Sequence, residues 1–124
     1  MVSKTRAVRI AERIRQELSE LLQREIQDPR LEGINFTDVT VDRELAFADI
    51  YVSALEGSQR SSEILTGLDH AQGFLRSELA KRIDLRQFPK LRFHWDFTYE
   101  RAERIDSLLN QIENERVARD SSDG

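Results

Sequence analysis

The stretch GLDHAQGFLRSEL, Gly67 to Leu79, decides how the middle of this chain is read. Apolar residues at Ile64, Leu68, Ala71, Leu75, Leu79 and Ile83 follow the spacing of one helix face. Gly73 stands inside that pattern, where a glycine costs about 1 kcal/mol relative to alanine. At 3.6 residues per turn it lies beside His70 and Ser77, nearly opposite the Leu68, Leu75 and Leu79 stripe. Core packing therefore does not require it. Either the backbone bends there, or a group from outside comes close, or a solvent-facing glycine is merely tolerated. The apolar phase continues through Gly73, which limits any bend to a moderate one.

Working outward, Ala7, Ile10, Ile14, Leu18, Leu21 and Leu22 predict a first helix from near Thr5 to Ile26. Asp28-Pro29 stops it, because the residue before proline is pushed out of helical geometry. INFTDVTV (34–41) and AFADIYVSAL (46–55) are rich in β-branched and aromatic residues and flank the polar DREL, the pattern of an antiparallel hairpin. Ala48, Ile50, Val52 and Ala54 share the inward parity with Val39 and Val41, and the alternation slips near Asp38, the mark of an irregularity. Ser61 and Ser62 are candidate N-caps for the helical region that runs to about Asp84. LRFHWDF (91–97) predicts a third strand with Leu91, Phe93, Trp95 and Phe97 in the core. Ala102, Ile105, Leu108, Leu109 and Ile112 predict a last helix, and a polar, frayed tail is expected over 113–124. Residues 1–112 are read as one domain, an α+β fold with helices on one face of a three-stranded sheet.

With 124 residues, 39% hydrophobic and 34% charged, the chain has the make-up of a soluble globular protein. It has no cysteine, no apolar run of membrane-spanning length and no signal-peptide core, which points to the cytoplasm. The net charge is −4 and the pI about 5.3, against a general nucleic-acid binder. The charge is unevenly spread, however. Lys4, Arg6, Arg9, Arg13 and Arg15 crowd the start, and Arg76, Lys81, Arg82, Arg86, Lys90 and Arg92 form a second block. Acids gather between them, from Asp28 to Glu63. Such a pattern fits either a polarised surface with one phosphate-binding side or ordinary solvated faces laced with ion pairs.

The element order, helix, two strands, a helical pair and a strand, is that of the KH fold in its second topological form. KH domains clamp single-stranded nucleic acid with a GxxG loop, and here Ala71-Gln72-Gly73 stands in that place. The chain closely resembles the ribosome-binding factor A family. The resemblance rests on RIRQELSELLQREIQDPRL (13–31), DVTVDRELAFADIYVS (38–53), AQGFLRSELAKRI (71–83), PKLRFHWD (89–96) and RIDSLL (104–109), in that order. It implies a KH type II-like domain, α-β-β-α-(kink)-α-β with a C-terminal helix, in which Ala71, Gln72 and Gly73 form the interhelical kink. It also implies an assembly factor, not an enzyme, that binds the free small (30S) ribosomal subunit and its 16S rRNA. The implied role is late maturation, including 5′-end processing of the precursor, with an association with growth in the cold. Asp42, Arg43, Asp49 and Ala102 depart from the commoner family pattern, and the two acids speak against RNA contact from the hairpin side.

A phosphate-binding face needs cations on rigid elements, and the candidates are Arg6, Arg9, Arg13, Arg76, Lys81, Arg82, Arg86 and Lys90. Helical phase carries Arg82 toward the apolar side. His94 and Asp96 share a strand face but have no third catalytic partner in the sequence, and with His70 they lack a metal-ligand spacing. No cofactor, metal or small-molecule substrate is expected, and the protein is read as a monomer. Phe93 and Trp95 share parity with Leu91 and Phe97, so they read as core and not as a base-stacking pair. The alternative function is a KH-like protein-interaction domain whose basic blocks meet an acidic protein.

Overall fold

The computed structural model describes residues 1–123. Helix α1 (Lys4–Arg24) begins at Ser3, whose hydroxyl accepts from the Arg6 amide at 3.1 Å. It buries Ala7, Ile10, Ala11, Ile14, Leu18 and Leu21. A short 3-10 turn (Pro29–Leu31) follows, opened by the Asp28 carboxylate accepting from the Arg30 amide. Strands β1 (Ile34–Val41) and β2 (Phe47–Ala54) pair antiparallel, and the register shifts between Phe36 and Asp38, so the expected irregularity is a bulge at Thr37. In the connecting turn Asp42 accepts from the amides of Ala46 (3.3 Å) and Phe47 (2.7 Å), and Leu45 takes a left-handed φ of 57°.

Helix α2 (Ser61–Arg82) carries the chain back, and β3 (Lys90–Trp95) then joins β2 in parallel, giving the strand order β1-β2-β3. Helices α1 and α2 pack side by side on one face of this sheet. Ile14, Leu18, Ile50, Val52, Ile64, Leu68, Leu75 and Leu79 are fully buried between them. The α+β class and the element order match the expectation. The expected helical pair is one unbroken helix of 22 residues, with Ala71-Gln72-Gly73 inside it. The apolar phase that continues through Gly73 explains this, since both halves bury the same stripe. Neither Ser61 nor Ser62 is the N-cap. A 3-10 turn (Ser58–Arg60) runs straight into the helix and leaves the cap position to Arg60.

Two other expectations need correction. Leu91 and Trp95 are buried and Phe93 packs on the core, but Phe97 is 43% exposed because the strand ends at Trp95. Helix α3 (Thr98–Asp123) forms as expected and continues to Asp123, through most of the segment read as a frayed tail; Gly124 lies outside the described residues. Its apolar residues Ile105, Leu108, Leu109 and Ile112 are all more than half exposed, so this stripe does not join the core. Among the described residues no helix is long and apolar enough to cross a membrane.

Two glycines of α2 sit in opposite surroundings. A Cβ at Gly67 would stand 3.1 Å from Leu31 Cδ2, in a leucine that is itself buried, whereas a Cβ at Gly73 would meet nothing within 4 Å. Gly67 thus permits the close approach of the 3-10 turn, and Gly73 permits nothing inside the fold. Gly73→Ala is expected to raise stability by up to about 1 kcal/mol. Gly67→Ala should fall at least about 1 kcal/mol short of that, since Leu31 must shift to admit the methyl. Urea unfolding of the two variants checks both values.

Candidate nucleic-acid interface

The two basic blocks, far apart in sequence, meet at one end of the molecule. Helix α1 starts beside the β1–β2 turn, where the Val2 amide donates to the Arg43 carbonyl at 2.8 Å. The segment between α2 and β3 arrives at the same end, where the Lys90 amide donates to the Ala46 carbonyl at 2.9 Å. A concavity of about 670 Å³ opens there, lined by Val2, Arg6, Glu44, Leu45, Leu85 and Arg86. Arg6 and Arg86, one from each block, therefore flank the same hollow. Arg9 continues the exposed stripe of α1 one turn on, and Lys90 is exposed at the first position of β3.

The candidate cations divide by what they already hold. Arg6, Arg9, Arg86 and Lys90 have no side-chain hydrogen bond or ion pair among the described residues. Arg13 bonds Glu17 at 3.1 Å and reaches the Arg82 carbonyl at 3.0 Å, joining the two helices. Lys81 pairs with Glu78 at 3.0 Å. Arg82 lies among three carboxylates, Glu78 (3.0 Å), Glu25 (3.2 Å) and Glu17 (3.5 Å), so its charge is cancelled where α1 and α2 touch. Its hydrogen bond to Glu78 raises its pKa, and the paired Glu78 is held below the usual carboxylate range by Lys81 and Arg82. Arg76 donates to the Phe88 (2.6 Å) and Pro89 (3.2 Å) carbonyls and fastens α2 to the chain entering β3. One turn earlier Gln72 donates to the Leu91 carbonyl, which ties the Ala71-Gln72-Gly73 stretch to the edge of β3. Gly73 beside it is exposed.

The opposite end of the hairpin is acidic. A second concavity of about 590 Å³ is lined by Gly33, Leu55, Glu56, Asp96, Glu100 and Glu103. Arg60 bonds Glu56 of this lining and reaches the Arg30 carbonyl at 2.7 Å, and so holds the 3-10 turn to the start of α2. The dipolar distribution matches the polarised-surface alternative.

On the sheet face away from the helices, His94 Nε2 stands 2.7 Å from Asp49 Oδ1, and Arg92 donates to the same carboxylate from Nε and Nη2 at 2.8 and 2.9 Å. Asp49, opposed to RNA in the sequence reading, is thus a neutralised charge, held below the ordinary carboxylate range chiefly by Arg92. Asp96 turns from His94 to the Thr37 hydroxyl (2.6 Å) and the Thr98 amide (2.9 Å). The Asp49 contacts were missed because they join strands whose pairing the sequence leaves open. The alternation of Phe47, Asp49 and Tyr51 against Ala48, Ile50 and Val52 was the available signal.

The family profile described as Ribosome-binding factor A matches residues 6–109, which include the candidate cations from Arg6 to Lys90 and the Ala71-Gln72-Gly73 stretch. The chain belongs to the ribosome-binding factor A family. A ribosome-binding factor A from Aromatoleum aromaticum is 40% identical over 119 residues, covering 96% of this chain and 94% of that one. The crystal structure of ribosome-binding factor A from Thermus thermophilus superposes with a TM-score of 0.66 at 25% identity, over 72% of this chain and 93% of that one. Coordinates of the Thermus thermophilus protein fitted into the cryo-electron-microscopy map of a 30S complex give a TM-score of 0.60 at 24% identity, over 73% and 96%, a likeness of fold. The ribosome-binding factor A match ends at Leu109, inside α3, so the last turns of that helix lie beyond it.

Arg76→Ala is expected to lower stability by about 2 kcal/mol, because the two carbonyls it holds lose a charged donor. Arg6→Ala and Arg9→Ala should change it by less than about 0.5 kcal/mol. Thermal melts of the three variants test this division. Asp49 has a depressed pKa when folded, so its contribution is present above the unfolded carboxylate range, about pH 4. That contribution is lost as pH falls through the folded value. The stability gap between the wild type and Asp49→Asn should therefore be widest near neutrality and shrink in acid, as urea midpoints across pH will show.

Proposed function

We propose that this protein is a non-enzymatic assembly factor that binds the free small (30S) ribosomal subunit through its 16S rRNA and promotes late maturation. The proposed role includes 5′-end processing of the precursor and support of growth in the cold, by a monomer acting in the cytoplasm. The observation that carries the reading is the convergence of Arg6 and Arg9 on α1 with Arg86 and Lys90 at one end of the fold, all without carboxylate partners among the described residues. Membership of the ribosome-binding factor A family gives this cationic end its partner class. Cations on two helically anchored segments can follow a phosphate backbone, and each neutralised phosphate releases counterions. The acidic end repels the same backbone, so binding fixes orientation as well as affinity.

Gly73 belongs to this reading. Its Cβ position faces open space, so the residue is best accounted for by a partner backbone that comes close to α2 there, beside the Gln72 bond to β3. Ala71, Gln72 and Gly73 would serve as the kink where that approach is accommodated.

Co-sedimentation with separated small subunits, large subunits and joined ribosomes at rising salt tests the proposal. Pelleting with free small subunits is expected, falling steeply as salt rises. The double variant Arg6→Glu/Arg9→Glu should pellet at least ten-fold less, with a salt slope shallower by about one to two. Gly73→Ala should pellet less while melting at a higher temperature. No pelleting at low salt, or pelleting that survives ribonuclease treatment of the subunit, would overturn the RNA reading in favour of an acidic protein partner.

A further inference from the structure

The sheet face away from α1 and α2 is composed differently from the rest of the surface. Phe47, Asp49 and Tyr51 on β2 stand beside Lys90, Arg92 and His94 on β3, in the register Phe47↔Lys90, Asp49↔Arg92, Tyr51↔His94. Two flat pairs result. The Tyr51 and His94 rings lie with centroids 5.2 Å apart and planes 30° from parallel. The Arg92 guanidinium lies 4.0 Å from the centre of the Phe47 ring. The Arg92 side chain is 50% exposed and that of His94 42%, so each pair keeps a surface open to solvent. Arg92 and His94 are two residues apart, which places the pairs about 7 Å from one another along β3.

The charge of this face suits an anionic strand. Asp49 is neutralised by Arg92 and hydrogen-bonded to His94, and Lys90 is left, among the described residues, as an unpaired cation at the end where Arg6 and Arg86 also stand. Acids limit the face on its other sides: Asp38 opposite Tyr51 on β1, and Asp96 just beyond β3. We infer that the open face of β2 and β3 is a stacking platform for single-stranded RNA, which enters at Lys90 and places bases on the Arg92–Phe47 and His94–Tyr51 pairs. Every base has a π-face, so such a platform tolerates many sequences, but it requires bases that are not already stacked in a duplex. The inference rests on the RNA reading above and adds a second contact surface that leads from the cationic end, at Lys90, onto the open sheet face.

The test is fluorescence anisotropy with a short labelled oligouridine and an RNA duplex of the same length, at low salt. Tyr51→Ser is expected to weaken oligouridine binding about five-fold or more. Tyr51→Phe, which keeps the ring, should restore it, and duplex binding and the melting temperature should not move. Equal oligouridine binding by the wild type and Tyr51→Ser would overturn the inference, as would equal losses on single strand and duplex. A Tyr51→Ser protein that loses small-subunit pelleting but keeps oligouridine binding would also overturn it, and would assign this face to a ribosomal protein. Tyr51-dependent oligouridine binding supports the platform whether or not the wild type pellets with small subunits, so the two readings fail separately.

Discussion

The parallel pairing of β3 with β2 is the constraint from which the rest of the arrangement follows. It is bracketed by the Lys90 amide on the Ala46 carbonyl and the Asp96 amide on the Val52 carbonyl, at 2.9 and 2.8 Å. A parallel neighbour has to start at the same end as β2, so the chain must first travel back along the sheet. Helix α2 makes that return, and its buried stripe seals one sheet face together with α1. The same geometry delivers residues 83–90 to the β1–β2 turn, where α1 also begins. Two basic segments separated by more than half the chain thereby share one end.

The arginines show how a fold divides a charged composition between construction and recognition. Arg82 and Arg60 each serve several acceptors across element boundaries, and Arg76 fastens α2 to the chain entering β3. All three hold the scaffold, and Arg82 and Arg60, which meet carboxylates, have little field left for a partner. Arg82 and Lys81 also sit in the last turn of α2, where cations offset the negative end of the helix dipole. Arg6 and Arg9, by contrast, stand near the start of α1, where the dipole is positive and adds to their attraction for anions.

The elements and their buried sides were legible in the sequence because periodicity reports which side of an element is apolar. The Leu68–Leu75–Leu79 stripe, the Ala48–Ile50–Val52 row and the slip near Asp38 all reappear in the fold. Periodicity does not report what an apolar side meets. Ile105, Leu108, Leu109 and Ile112 have the same pattern as Ile14 and Leu18, yet they face solvent. Nor does it report ion pairing between elements: helical phase set Arg82 apart by carrying it toward the apolar side, but gave no sign of the three carboxylates around it. The single helix in place of a pair was legible in part, since the unbroken phase through Gly73 already argued against a sharp break. The neutralisation of Asp49 was not legible, because it depends on the parallel register of a strand more than forty residues away.

Helix α3 has a consequence for how the molecule comes apart. Its 26 residues reach about 39 Å at 1.5 Å per residue, with the apolar side chains that would anchor a helix left in water. Beyond its first turns, which meet Asp96 and Phe97, its persistence depends on local backbone bonds and not on the central core. The chain is therefore built from two cooperative units of unequal strength. Amide protons in the later turns of α3 are expected to exchange by local opening, while those of β2 wait for the whole domain to unfold.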